Sequence, residues 1–295
     1  MLRTWMRRAL IGVGLLVVAA ALAVALGAWR AERLRDRVVE LPAMTAAAAI
    51  ADTAAVERGR YLYTTRGCAE CHGADGAGKV FIDSDNGLKV RGAHIAPGAG
   101  SVVTGYAMAD WDRIVRHGVK RDGRPALIMP SEDYNRFTDA DLAALVAYVT
   151  RLPAVAGAPA LIQLPLPVRV LYGFGAITDA AAKIDHRLPP SEPVAEGVTV
   201  AHGQYVAAMC LGCHGPALEG GPVPGGPPDW PAAARLRSGP GNVMADRYAQ
   251  PEALMVMLRS GKRPDGSAVR VMPFDSLAKM SDTDLRALHL YLTSQ

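Results

Sequence analysis

Cysteine is scarce in this chain. The 295 residues hold four, and all four fall in two pentapeptides, Cys68-Ala69-Glu70-Cys71-His72 and Cys210-Leu211-Gly212-Cys213-His214. No cysteine is left over, which argues against structural disulfides. Aromatic residues are also few, 6% of the total, while Ala, Gly and Pro are abundant. A large aromatic core is thereby excluded, and small domains built around some other apolar body are expected. Beyond residue 51 the chain has no net charge. Residues 1–51 carry seven arginines against three acids, which accounts for the whole formal charge of +4. A basic surface for nucleic acid is absent, and the excess belongs to the flanks of an apolar run. Charged residues at 20% and hydrophobic ones at 50% describe a folded protein, with length enough for an anchor and two small domains.

The pentapeptides themselves have the form C-x-x-C-H, the attachment signature of c-type haem. Two thiols add across the porphyrin vinyl groups, and the adjacent imidazole reaches the iron. On this reading Cys68, Cys71, Cys210 and Cys213 bind two haems covalently, and His72 and His214 are the proximal iron ligands. A thioredoxin-type redox pair needs a βαβ setting, and neither copy has one. A four-cysteine zinc ribbon uses every thiol but leaves both histidines without a role.

The remainder of the chain is duplicated around these motifs. At a constant offset of 143, Gly118 maps to Gly261, Asp122-Gly123 to Asp265-Gly266, Met129-Pro130 to Met272-Pro273, and Tyr148 to Tyr291. The same offset carries Thr138-Asp139-Ala140-Asp141-Leu142 onto Ser281-Asp282-Thr283-Asp284-Leu285. Met129 follows His72 by 57 residues and Met272 follows His214 by 58. Most methionines fill cores, but these two recur in register, each ahead of a proline that stiffens its loop. A thioether suits ferrous iron, and a Met/His pair raises its potential. Met129 and Met272 are therefore the expected sixth ligands, with His94 the rival on the first iron. His117, His186, His202 and His289 read as ordinary packing or hydrogen-bonding residues. Trp111 and Trp230 either flank a haem edge or fill core.

Each half is expected to end in a helix. Thr138 and Ser281 are candidate N-caps with Asp141 and Asp284 three residues on, a carboxylate variant of the capping box. Leu142, Leu145, Val146 and Val149 then share one face. At the other end of the chain, Ala9–Ala28 is 20 residues without a charge. As a helix it spans about 30 Å, the thickness of a bilayer's hydrocarbon core, with Trp5 and Trp29 at its edges. The alternative is a cleaved signal peptide. Three arginines precede the run and four follow it closely, so charge does not orient it. Covalent haem attachment in bacteria takes place outside the cytoplasmic membrane, which puts the bulk of the chain in the periplasm.

The expected architecture is all-α: an N-terminal transmembrane anchor (1–29), a tether (30–51) with an Ala-rich helical end at 46–49, and two tandem cytochrome-c domains (52–156 and 199–295). A proline-rich connector (157–198) joins them, extended except for one short helix around Thr178–Lys183.

These residues resemble the membrane-anchored dihaem cytochromes c, related to the cytochrome subunits of periplasmic alcohol and gluconate dehydrogenases. In the first half the resemblance lies in the run from Trp111 to Arg124, Met129-Pro130 and the Thr138–Tyr148 helix. In the second it lies in the stretch from Gly220 to Pro231 and the run from Gly261 to Tyr291. One departure is local. The family usually reads Asn-hydrophobic-Thr-Pro over the haem, and this chain has His94-Ile95-Ala96-Pro97. Another is that the dehydrogenase subunits often carry a third haem. The resemblance implies electron transfer at the periplasmic face of the bacterial inner membrane. Electrons would pass between a dehydrogenase or quinol-oxidising complex and a terminal oxidase or soluble cytochrome. Two readings stand beside it: a haem enzyme of the dihaem peroxidase or thiosulfate dehydrogenase type, and a subunit of a cbb3-type oxidase.

Overall fold

The structure is a computed structural model that describes residues 2–42, 52–227 and 229–295. The expected helical end of the tether, 46–49, lies outside the described residues. Helix α1 (Leu2–Arg35) contains the whole apolar run and continues six residues past the expected boundary at 29. No Gly or Pro interrupts Trp29–Arg35, Glu32 pairs with Arg35, and Ala31 is fully buried. At about 1.5 Å per residue the helix is about 50 Å long, long enough and apolar enough to cross a membrane.

The first half comprises α2 (Thr53–Thr65), α3 (Cys68–His72), α4 (Met108–His117) and α5 (Asp139–Val149). Leu62, Tyr63, Trp111, Val115, Leu142 and Val149 form its buried core, so Trp111 is a core residue. The second half repeats the plan with α7 (Val200–Ala207), α8 (Leu211–His214), α9 (Val243–Asp246), α10 (Pro251–Ser260), α11 (Phe274–Leu277) and α12 (Asp282–Thr293). Its separate core includes Val206, Met244, Leu254, Leu258, Leu285 and Leu288. The main packing pair is α2 on α5 in one half and α7 on α12 in the other. Both crossings depend on a glycine. A Cβ on Gly59 would lie 1.9 Å from the Ala144 carbonyl oxygen, and one on Gly203 the same distance from that of Ala287.

The architecture is mainly helical, but the all-α expectation needs correcting. Strands β1 (Val80–Asp83), β2 (Lys89–Arg91) and β3 (Leu161–Gln163) form a three-stranded antiparallel sheet in the order β1-β2-β3. Pro159 and Pro165 bracket β3, whose extended backbone finds a partner in β2, Val90 opposite Ile162. The connector also forms α6 (Leu166–Gly173), which the proline density concealed. The short helix expected near Thr178–Lys183 is a 3₁₀ turn at Ala180–Ala182, capped by the Asp179 carboxylate.

Candidate functional site

Each pentapeptide is wound into a single tight turn. Helix α3 starts after Gly67 (φ 83°) and stops at Gly73 (φ 80°, ψ 160°). Helix α8 stops at Gly215 with nearly the same dihedrals, φ 84° and ψ 157°. These angles lie in the left-handed region, where only glycine is unstrained. The following loop then folds back, with the Gly78 N–H donating to the His72 carbonyl and the Gly220 N–H to that of His214, both at 2.8 Å.

That return loop delivers a carbonyl to each imidazole. His72 Nδ1 lies 2.8 Å from the Ala93 oxygen, and His214 Nδ1 lies 2.7 Å from the Ala234 oxygen. A carbonyl is an acceptor only, so Nδ1 carries the proton and Nε2 keeps its lone pair. Burial lowers both imidazoles' pKa against the pull of those carbonyls, favouring the neutral form that ligates metal. Nothing in the motif spacing identifies Ala93 or Ala234, since a backbone acceptor leaves no mark on side-chain identity.

Burial pushes the Cys68 thiol up to about 12 and Cys71 to about 11; in the second half it pushes Cys210 to about 12 and raises Cys213. All four are free of disulfides. Thiols held protonated are poor exchange nucleophiles. Among the described residues no three His, Cys, Asp or Glu side chains gather to hold a metal ion. That lack of a converging ligand set disfavours the four-cysteine zinc ribbon, and the raised thiols disfavour the dithiol redox pair.

Cys68 and Met129 pack against the same buried core in the first half, and Cys210 and Met272 against the same core in the second. Backbone hydrogen bonds stiffen the two methionine loops alike, Ser131 N–H to the Met129 oxygen and Phe274 N–H to the Met272 oxygen, both 2.9 Å. A cavity of about 260 Å³ runs beside Met129, Asp133, Tyr172, Lys183 and Cys213.

His94 is fully buried with both ring nitrogens unpartnered. Its ring occupies the space a Cβ on Gly157 would need, 2.3 Å from His94 Cγ. His117 and His186 meet at 3.0 Å, His289 bonds the Tyr248 oxygen and His202 bonds Asp284. These four are hydrogen-bonding residues, as expected. Trp230 is partly exposed.

The two halves exchange reciprocal contacts that sequence reasoning missed. Tyr61 of the first half donates to Asp284 (2.8 Å), and its oxygen accepts from Ser281 N–H (3.0 Å). Tyr205 of the second donates to Asp141 (2.7 Å) and accepts from Thr138 N–H (3.2 Å). Asp284 also takes Arg66 and His202, while Asp141 takes Arg58 through two bonds. Thr138 and Ser281 are the N-caps foreseen. The carboxylates three residues on serve the interface, and their recurrence in register was the available signal. Within the pentapeptides, Gly212 N–H donates to Asp133 (2.7 Å), and Glu70 accepts from Ser276 Oγ (2.8 Å).

A duplicated helical shell around a C-x-x-C-H turn, its histidine oriented by a backbone carbonyl, defines a cytochrome-c-type protein. Residues 54–149 and 199–292 match the family described as cytochrome C oxidase, cbb3-type, subunit III, and the chain belongs to that cytochrome c domain family. Membership implies covalently bound haem c. The chain is 34% identical over 139 residues to the fructose dehydrogenase cytochrome subunit of Gluconobacter japonicus, covering 44% of this chain and 28% of that protein. It is 31% identical over 276 residues to the cytochrome c subunit of alcohol dehydrogenase (quinone) from Gluconacetobacter polyoxogenes, covering 83% and 56%. Against the gluconate 2-dehydrogenase cytochrome c subunit of Pantoea cypripedii the identity is 28% over 275 residues, covering 83% and 60%. The chain thus spans little more than half the length of the longer-matching relatives.

Proposed function

We propose that this chain is a dihaem electron carrier, held to the bacterial inner membrane by α1 with both haem domains in the periplasm. Cys68 and Cys71 would attach one haem and Cys210 and Cys213 the other. His72 with Met129, and His214 with Met272, would ligate the two irons. When bound, the haems supply one-electron redox chemistry at potentials raised by the thioethers. The observation that carries this reading is the repetition of one apparatus: a buried imidazole with Nδ1 fixed by a carbonyl, next to cysteine and methionine on one core. The chain's own work is to attach, orient and bury the haems, and with both irons six-coordinate it moves electrons and catalyses no turnover. His94 follows directly on the residue whose carbonyl grips His72, and its ring fills the space beside Gly157, whereas Met129 packs on the core that also holds Cys68. We therefore assign it to packing against Gly157.

Electrons would enter from a dehydrogenase or a quinol-oxidising complex and leave to a terminal oxidase or a soluble cytochrome. The relatives named as dehydrogenase cytochrome subunits support the first donor. The family description favours a second reading, membership of a cbb3-type oxidase. Affinity purification from detergent-solubilised membranes separates them by whether oxidase or dehydrogenase subunits travel with the chain.

The ligand assignment is tested by the ferric spectrum of the purified protein. Methionine ligation gives a weak far-red band, and Met129→Ala and Met272→Ala should each remove about half of it. An unchanged band in either variant, or a high-spin ferric wild type that binds cyanide readily, refutes the assignment and favours a haem enzyme.

A further inference from the structure

Helix α6 lies against the end of the apolar run of α1 with the two backbones in contact. A Cβ on Gly173 would stand 1.9 Å from the Gly27 carbonyl oxygen, and one on Gly27 would stand 2.8 Å from Phe174 Cε2. Arg169 pairs with Glu32 at 2.9 Å. Gly173 beside Gly27 and Arg169 beside Glu32 make the two helices antiparallel. The C-terminal end of α6 therefore points back along α1, and Phe174 sits level with Gly27, inside the uncharged run Ala9–Ala28.

The tip at that level is unusual for a surface turn. From Val170 to Thr178 there is no charge. Pro167, Leu171 and Phe174 recur at i, i+4 and i+7 and are exposed, Leu171 by 46% and Phe174 by 49%. Trp29, at the same level, is 59% exposed. Immediately beyond them stand two arginines. Arg30 lies over the Phe174 ring at 6.0 Å and Arg33 over the Trp29 ring at 5.7 Å, and neither has an acidic partner among the described residues. The opposite face of α6 is fixed: Tyr172 is buried and donates to Asp179, which also takes Arg37 through two hydrogen bonds.

An apolar tip, an interfacial tryptophan and unpaired cations, stacked in that order beside a bilayer-length helix, match the depth profile of a lipid leaflet. We propose that α6 and the turn 174–177 form a second membrane contact. Leu171 and Phe174 lie at the acyl boundary, and Arg30 and Arg33 lie among lipid phosphates. Tyr172 ties α6 to Asp179, which caps the 3₁₀ turn, and Lys183 at the end of that turn pairs with Glu132 of the first half at 2.6 Å, so this contact would hold that half at a set angle to the membrane. The inference rests on α1 being a retained anchor.

The test uses the full-length haem-loaded protein in vesicles of phosphatidylcholine and phosphatidylglycerol, with photoreactive benzoylphenylalanine at position 15, 174 or 256. Val256 is 62% exposed and lies far from α1 in the chain. Phospholipid adducts at 15 and 174, with none at 256, are expected by mass spectrometry. Adducts at 15 without adducts at 174, or a cross-linked protein dimer through 174, overturn the proposal while leaving the anchor intact. No lipid adduct at 15 sinks the anchor and the proposal together.

Discussion

Replacing Gly59 or Gly203 with alanine puts the helix-crossing argument at risk through the sign of one number. In a helix interior unopposed by neighbours, Gly→Ala stabilises by about 1 kcal/mol, because alanine loses less backbone entropy. Here the added methyl meets a main-chain oxygen. The Cβ of Gly59→Ala falls 1.9 Å from the Ala144 oxygen and 2.8 Å from Tyr148 Cβ. For Gly203→Ala the distances are 1.9 Å to Ala287 and 2.7 Å to Tyr291 Cβ. Ordinary contact begins near 3.4 Å, so α2 and α5, or α7 and α12, must part by roughly 1.5 Å. Neither obstacle is the movable end of a side chain. Overpacking of this kind costs about 1–3 kcal/mol or more, and the parted helices also loosen the cores that hold Leu62 and Leu142, or Val206 and Leu285. Net destabilisation of about 1–3 kcal/mol is expected in either variant, and each 1 kcal/mol is worth about 4–8 °C in a domain of this size. Urea titration of the haem-loaded protein, followed by far-ultraviolet and Soret dichroism, measures it. The far-red band should fall first in the half that carries the substitution. A variant more stable than wild type would mean the two backbones do not touch, and the crossing geometry would be wrong.

Two further perturbations act on buried carboxylates. Asp284→Ala removes the partner of Arg66, which is 4% exposed; an uncompensated buried charge costs about 3–5 kcal/mol, and calorimetry should show the loss with the two halves melting apart. Burial pushes the Asp284 carboxyl up, but Arg66, His202 and Tyr61 more than offset it and hold it below the usual range. Its stabilisation is therefore present above the ordinary carboxylate pKa and lost as pH falls through the lower folded value, a loss Asp284→Ala should not show. Asp133 has the opposite sign: burial pushes it up to about 8, while Gly212 N–H pulls the other way. Stability is full below about pH 4 and falls towards pH 8, by at most about 1.4 kcal/mol per pH unit. Asp133→Asn should flatten that slope in pH-dependent urea titrations; an unchanged slope would show that another group titrates.

Residues that repeat and residues that cap were legible without a structure. The offset of 143 located both halves, and Thr138 and Ser281 announced the helices they cap. The charge-free run from Ala9 announced α1. What stayed hidden was whatever depends on distant backbone. Ala93 and Ala234 contribute only carbonyls, which any residue carries. Strand β3 reads as linker because its three residues pair with β2, some 70 residues earlier. Helix α6 follows Pro165 and holds Pro167 in its first turn, a permitted position that looks like a helix breaker when prolines are merely counted.

The cross-contacts between halves bear on how a duplicated carrier works. Asp133 and Ser276 occupy corresponding places, each four residues after its methionine, and each touches the pentapeptide of the other half at its third residue, Gly212 or Glu70. At one junction the carboxylate comes from the methionine loop and at the other from the pentapeptide, so each junction has one carboxylate and one donor. Two independent beads on a string would show no such complementarity of parts across the two junctions. The pairing instead fixes both pentapeptides against the same interface. On the proposed haem assignment both attachment turns would meet at this one interface, where a rigid and short separation would favour electron transfer, which decays steeply with distance.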